Sequence, residues 1–255
     1  MSGLDPAAQF DQLGGVYDIF STSPFRRQLE FPTVFATLGD VAGLDVLDLG
    51  CGSGSYTRML KQRGAARVVG LDATEGMVEH ARSVEASSPL GVSYVAGALP
   101  ADLDGAFDIV LAVYVLPYAE DLDRLTDICR TAARALRPGG RLVTLPSNPA
   151  LRREPDYYER YGFRTYGATR GTEPEPVTLD LCYAGLDETV SAWVWSRAAI
   201  DAALSGAGFA DVIWAGPVVT AAGVQEAGGA FWQPYLDCPH ALTVSARLSL
   251  DRGRH

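Results

Sequence analysis

The run Gly50-Cys51-Gly52-Ser53-Gly54 follows directly on a short apolar stretch, Val46 to Leu49. That stretch reads as a buried strand. Glycines at alternate positions behind it give the chain backbone angles closed to other residues and let a ligand lie against the main chain. Asp72 closes the next apolar stretch, Val68-Val69-Gly70-Leu71. A carboxylate there is placed to take both hydroxyls of a ribose. Glycine cradle and downstream acid together describe a site for an adenosine-bearing ligand, and spacing separates the candidates. A phosphate-binding loop needs Gly-Lys followed by Ser or Thr, which is absent. The dinucleotide fingerprint puts its third glycine three places after the second, where Ser55 stands. S-adenosylmethionine carries no phosphate and needs only a passage for its methionine part beside the main chain.

The elements that must position these residues alternate. Strands are expected near 45–50, up to Asp72, at Val92 to Ala96, at Phe107 to Val113 and at Arg141 to Leu145, with helices between them. The unbroken apolar run Phe107 to Val113 suits a parallel sheet covered on both faces. The intervening helices carry Tyr56, Met59 and Leu60, then Met77, Val78, Ala81 and Val84, then Leu122, Leu125, Cys129, Ala132 and Leu136. Pro138-Gly139-Gly140 is expected to stop the third. Ahead of the first strand, Ser23-Pro24 offers a cap and a first-turn proline, and Pro32 is expected to break that helix and start another. From Pro146 to about Ser196 the composition shifts to Tyr, Arg, Pro and Gly, with strand-like runs at Val177 to Tyr183 and Thr189 to Trp195. Ser196 caps a helix with Ile200, Ala203 and Leu204 inward, and two strands follow near Phe209 to Trp214 and Ala241 to Leu248. Trp232 and Tyr235 are expected in the loop between them.

The segment Val46 to Gly54 resembles the first motif of class I S-adenosylmethionine-dependent methyltransferases, Leu71-Asp72 their acidic second motif, and Leu136-Arg137-Pro138-Gly139-Gly140-Arg141-Leu142 the segment before their fifth strand. Val16-Tyr17-Asp18-Ile19-Phe20, Gly64 to Gly70, Ser147-Asn148-Pro149-Ala150, Phe231-Trp232 and Asp237-Cys238-Pro239 are similar to a narrower group, the bacterial toxoflavin-synthase-like small-molecule methyltransferases. Val115-Leu116-Pro117-Tyr118-Ala119 departs from that group, with Leu-Pro where Leu-Asn is usual.

The resemblance implies an α/β fold: a Rossmann-like seven-stranded, mostly parallel sheet ordered 3-2-1-4-5-7-6, with a small antiparallel insertion as cover. It implies a helical cover over 1–40, a donor-binding core over 41–146, the insertion over 147–196 and the rest of the core sheet over 197–255. Gly50, Cys51, Gly52 and Gly54 would line the donor's methionine part and Asp72 its ribose. Ala73 and Met77 would flank the adenine, with Gly97, Ala98 and Leu99 nearby. Tyr17 would cover the site, Arg26 would pair with the donor's carboxylate, and Val113 would end strand four where the reactive methyl points. S-adenosylhomocysteine would be the product. Tyr114, Tyr118, Tyr161, Phe163, Tyr183, Trp195, Trp232 and Tyr235 are candidates for an aromatic chamber around a small-molecule acceptor. Such a transfer needs alignment more than a base; Tyr114 and His240 are the weak catalytic candidates, while His80 is expected toward solvent. The nearest resemblance favours a ring nitrogen of an aromatic or heterocyclic metabolite, with oxygen next. A nicotinamide-dependent oxidoreductase and a non-catalytic cofactor-binding module are the rivals.

Charge and cysteine usage narrow the setting. A formal net charge of −10 disfavours nucleic acid and anionic membrane partners. The Asn-Pro-Pro-Tyr type of motif that serves duplex adenine is absent, as is a Pro-Cys nucleophile after strand four. Cys51, Cys129, Cys182 and Cys238 are scattered, as are His80, His240 and His255. No metal site is expected from them, and reduced thiols fit a cytoplasmic protein, monomer or homodimer. Met1 to Gln12 shows no export signal, and no apolar run reaches the ~20 residues that span a bilayer.

Overall fold

The computed structural model describes residues 13–167 and 170–250. Residues 1–12, where an export signal was sought, and His255 lie outside them. The central sheet contains β1 (Asp45–Leu49), β2 (Arg67–Asp72), β3 (Ser93–Ala96), β4 (Phe107–Val113), β5 (Leu136–Leu145), β9 (Phe209–Ala215) and β10 (Thr243–Leu248). Its order is β3-β2-β1-β4-β5-β10-β9. Counting only these strands, that is the expected 3-2-1-4-5-7-6. β10 runs antiparallel to both neighbours. The strands between β5 and β9, namely β6 (Phe163–Tyr166), β7 (Glu175–Leu181) and β8 (Glu188–Val194), form a separate antiparallel sheet. The sequence pattern anticipated β7 and β8 but not the short β6.

Alternation along the strands sorts the core into two faces. Leu47, Val69, Val110, Ala112 and Leu142 pack against α5 (Leu122–Ala135) and α7 (Arg197–Gly206). Val46, Val68, Ile109, Leu111 and Val143 pack against α2 (Phe31–Leu38) and α3 (Ser55–Gln62). Asp121 caps α5 by accepting from Arg124 N at 2.8 Å, and Ser196 caps α7 by accepting from Ala199 N at 3.1 Å. Within α5 the inward set is Leu125, Ile128, Cys129 and Ala132; Leu122 is 56% exposed, because at the first turn its side chain falls outside the packed stripe. Leu136 already belongs to β5, so the helix ends before Pro138 and the Pro-Gly-Gly segment lies inside the strand.

Pro32 does not break the amino-terminal helix. Ser23 Oγ accepts from Arg26 N at 3.2 Å, and the chain then runs through a π-helical turn, Arg26–Glu30, straight into α2. Proline has no N–H for the carbonyl four residues back. That carbonyl, on Gln28, accepts instead from Thr220 N at 2.9 Å, so the missing helix bond is replaced across the fold. Trp232 and Tyr235 are likewise not in a loop. They face inward from α9 (Gly229–Asp237), which follows α8 (Ala221–Ala227). Pro234 inside α9 and the glycines ahead of it hid both helices. Among the described residues, no helix is long and apolar enough to cross a membrane.

Register brings the chemistry together. Leu49 pairs with Leu71, and Asp72 with Ala96, so β1, β2 and β3 end side by side. Gly50 N and Cys51 N both donate to Leu71 O, at 2.7 and 3.1 Å, and Gly97 N donates to Asp72 O at 2.8 Å.

Candidate active site

The carboxyl edge of β1 to β4 opens onto a cavity of about 500 Å³, within the range of small-molecule sites. Gly50, Cys51, Gly52 and Ser53 line it from the loop after β1. Asp72, Ala73, Thr74 and Met77 line it from the end of β2 and from α4 (Glu75–Ser87). Gly97, Ala98 and Leu99 come from the end of β3, and Val113, Tyr114, Val115 and Tyr118 from the end of β4. Tyr17, on α1 (Gly14–Ser21), and Arg26 close it from the amino-terminal side. The cavity continues past Glu120, Arg124 and Asp127 along α5.

The cradle has the properties its glycines suggested. Gly52 and Gly97 have φ of +52° and +87°, and no neighbouring atom stands within 4 Å of where a Cβ would sit. A side chain there would both strain the backbone and project into open space. Gly54 does not line the cavity. It caps α3 in the left-handed region, and a Cβ on it would lie 2.4 Å from the Tyr94 hydroxyl; close packing, not ligand contact, fixes its type. Asp72 faces the cradle, its Oδ2 accepting from Gly52 N at 2.8 Å and its Oδ1 from Thr74 N at 2.9 Å.

Asp48 was missed by sequence reasoning, although an acid inside an apolar strand was the available signal. It lines the cavity, is 2% exposed, and accepts from the Thr57 hydroxyl at 2.6 Å. Burial, with Asp72 nearby, pushes its pKa up to about 7 despite the Thr57 bond. Tyr56, at the first turn of α3, also lines the cavity.

The aromatic lining of the cavity is smaller than expected. Tyr114 and Tyr118 line the cavity, but Tyr161, Phe163, Trp232 and Tyr235 are core residues of a cluster with Phe20, Phe25, Leu29 and Tyr158. Tyr183 packs on that cluster's margin. Trp195 is buried against α5 and α7, its indole N–H donating to Ala119 O at 3.0 Å. Tyr161 and Trp232 likewise donate to backbone carbonyls, those of Phe231 and Gly223. A segment poor in aliphatic residues builds its core from rings whose polar tips find main-chain partners. No residue of 147–196 lines the cavity among those described. The insertion instead braces the wall, with Val190 packed beside Met77, Tyr17 and Tyr118.

The two histidines also differ from expectation. His240 is buried behind the wall, its ring nitrogens 2.7 Å from the Tyr235 hydroxyl and 3.1 Å from the Tyr114 hydroxyl. Burial, aided by the Arg26 charge, pulls its pKa down to about 3, so it is neutral at physiological pH. His80 does not simply face solvent. It pairs with Asp18 at 2.6 Å and abuts Gly14, clamping α1 to α4. Tyr17 and Tyr118 are hydrogen-bonded to each other across the cavity. Burial raises Tyr17 to about 12 and lifts Tyr56, Tyr114 and Tyr118 well above the ordinary tyrosine value, so all four remain protonated.

An open glycine cradle, an acid at the end of β2 and a cavity without a phosphate-binding loop fit S-adenosylmethionine. The comparisons agree. Residues 46–140 match the family described as a methyltransferase domain. The demethylmenaquinone methyltransferase of Clavibacter sepedonicus is 32% identical, over 87% of this chain and 91% of that relative. The nocamycin O-methyltransferase of Saccharothrix syringae is 35% identical over 57% of this chain and 52% of its own length; the chain spans about half the length of several other curated relatives it matches. In structure, an S-adenosylmethionine-dependent methyltransferase from Mesorhizobium loti superposes with a TM-score of 0.60, at 26% identity over 89% of this chain and 99% of that one. The chain belongs to the class I S-adenosylmethionine-dependent methyltransferases, and S-adenosylmethionine is its methyl donor.

Proposed function

We propose that the protein methylates a small, flat aromatic or heterocyclic metabolite of the natural-product kind, at a ring nitrogen. Bound S-adenosylmethionine supplies an electrophilic methyl group. In this proposal Gly50 to Ser53 run beside its methionine part, Asp72 takes the ribose hydroxyls, and Ala73, Met77 and Gly97 to Leu99 enclose the adenine. Val113, Tyr114 and Tyr118 flank the point of transfer and exclude water. The chain's contribution is alignment of two reactants, which can supply ~7–11 kcal/mol of a barrier.

One observation carries the choice of nitrogen: the groups at the reactive end are tyrosines held protonated by burial, and neutral His240 lies behind them. Among the described residues, no histidine or lysine lines the cavity. A neutral ring nitrogen attacks with its own lone pair, whereas a phenol must first lose a proton. Oxygen is the second choice, favoured by the relative named for O-methylation of nocamycin. Incubation with isotopically labelled donor and matched panels of azaheterocycles and phenols, scored by mass spectrometry, separates the two. N-methylated product at a rate flat from pH 7 to 9 is expected. Phenol ethers as the main product, formed at a rate rising across that window, would establish oxygen instead.

A further inference from the structure

Glu30 does not line the cavity, yet it holds three groups that do. It is 3% exposed, and its Oε1 lies 2.8 Å from Arg26 Nε. The Tyr56 hydroxyl donates to the same oxygen at 2.9 Å, and the Tyr114 hydroxyl donates to Oε2 at 2.9 Å. These partners come from the π-turn, from the first turn of α3 just behind the glycine cradle, and from the end of β4. A buried carboxylate is costly unless paired and hydrogen-bonded. Here two tyrosine hydroxyls donate to Glu30, while Arg26 faces it as an ion pair whose Nε makes no hydrogen bond among the described residues. Because the Tyr114 proton goes to Glu30, His240 Nε2–H must donate to Tyr114 Oη while Nδ1 accepts from Tyr235, which extends the constraint to α9.

Arg26 shows what this orientation serves. Its Nε edge faces Glu30, and its guanidinium lies 4.9 Å from the Phe31 ring centre. Among the described residues its terminal nitrogens have no acceptor, and the residue lines the cavity. A guanidinium fork held by one edge offers the other to a carboxylate. A π-turn is a rare element that recurs at functional sites.

We infer that Glu30 is a positioning residue for the amino-carboxylate end of the methyl donor: it fixes Arg26 to receive that carboxylate and ties the contact to the Tyr114 wall. This rests on the proposed pairing of Arg26 with the donor. Titration calorimetry with two ligands tests it. S-adenosylhomocysteine carries the amino-carboxylate; 5′-methylthioadenosine has the same nucleoside and sulfur without it. In Glu30→Gln, affinity for S-adenosylhomocysteine falls tenfold or more while 5′-methylthioadenosine binds within twofold of wild type. S-adenosylhomocysteine binding within twofold of wild type, or equal weakening of both ligands, overturns the inference.

Arg26→Met separates the two levels. Unchanged S-adenosylhomocysteine affinity in that variant removes the Arg26 pairing itself. Weakened binding there, with Glu30→Gln intact, removes Glu30 alone. Since Glu30→Gln strands a buried cation, Arg26→Met/Glu30→Gln is made in parallel. It should melt closer to wild type than Glu30→Gln, bind S-adenosylhomocysteine as poorly as Arg26→Met, and keep 5′-methylthioadenosine binding. Loss of the latter would mark Glu30 as merely structural and overturn the inference even if the single variant does not fold.

Discussion

Asp72 holds the loop and, in the proposed function, also takes the ribose with the same carboxylate. A carboxylate offers about four acceptor directions, and Gly52 N and Thr74 N use two of them. Two remain for a ribose diol. Each charge-assisted bond is worth ~1.5–3 kcal/mol, so Asp72→Ala should weaken S-adenosylhomocysteine by roughly a hundredfold or more, measured by calorimetry. Unchanged affinity would end the ribose assignment. Asp48 makes a different prediction, because its pKa rises from 3.8 to about 7 on folding. The folded protein binds that proton more tightly than the unfolded chain does. The contribution to stability is therefore full below pH 4 and lost as pH climbs through 7. Asp48→Asn removes the dependence and can still accept from Thr57. Urea midpoints should show the variant gaining on wild type between pH 5 and pH 8, by up to about 3 kcal/mol by linkage. A difference that stays constant across that range would contradict the protonated buried acid.

At the scale of elements, the loop between β1 and α3 must keep Gly52 in the left-handed region while its missing side chain leaves the cavity clear. Gly52→Val puts a β-branched residue at φ +52° and two methyl groups into the donor's path. The sheet behind it is untouched, so the variant should keep the wild-type circular dichroism spectrum and lose calorimetric binding of S-adenosylhomocysteine; normal binding would locate the cradle elsewhere. This loop, β4 and the cap of α7 were legible in the sequence because apolar runs, glycine spacing and capping side chains act locally. The continuous helix through Pro32 was not, since the bond that tolerates the proline comes from Thr220, far along the chain. Nor was α9, whose internal Pro234 reads as a breaker and is tolerated beneath buried Trp232 and Tyr235. The aromatic residues from Tyr161 to Tyr235 show the same limit. Sequence tells that rings abound there, but only packing decides that Tyr114 and Tyr118 line the cavity while Tyr161 and Trp232 stack on each other in the core.

Taken as a whole molecule, the site is made by two layers of unequal kind. The sheet edge supplies the cradle, while Tyr17 and Arg26 reach it from the amino-terminal segment, which is held by the Asp18–His80 pair and by Thr33, whose hydroxyl donates to Leu29 O and accepts from Val218 N. The β6-β7-β8 sheet stands behind this wall and contributes no lining residue among those described. A ligand that touches both layers and binds only the folded state stabilises it by ~2.7 kcal/mol at a hundredfold excess over its dissociation constant. For a chain of this size that is roughly 5–10 °C in melting temperature. S-adenosylhomocysteine should produce such a shift and a nicotinamide dinucleotide should not. Hydrogen exchange then locates the gain, because local opening and global unfolding protect different amides. Slower exchange is expected in 14–38 and 50–55 together, with 163–194 changing least. Protection confined to 50–55 would mean that the amino-terminal layer does not close on the donor and that Tyr17 and Arg26 have been given the wrong part.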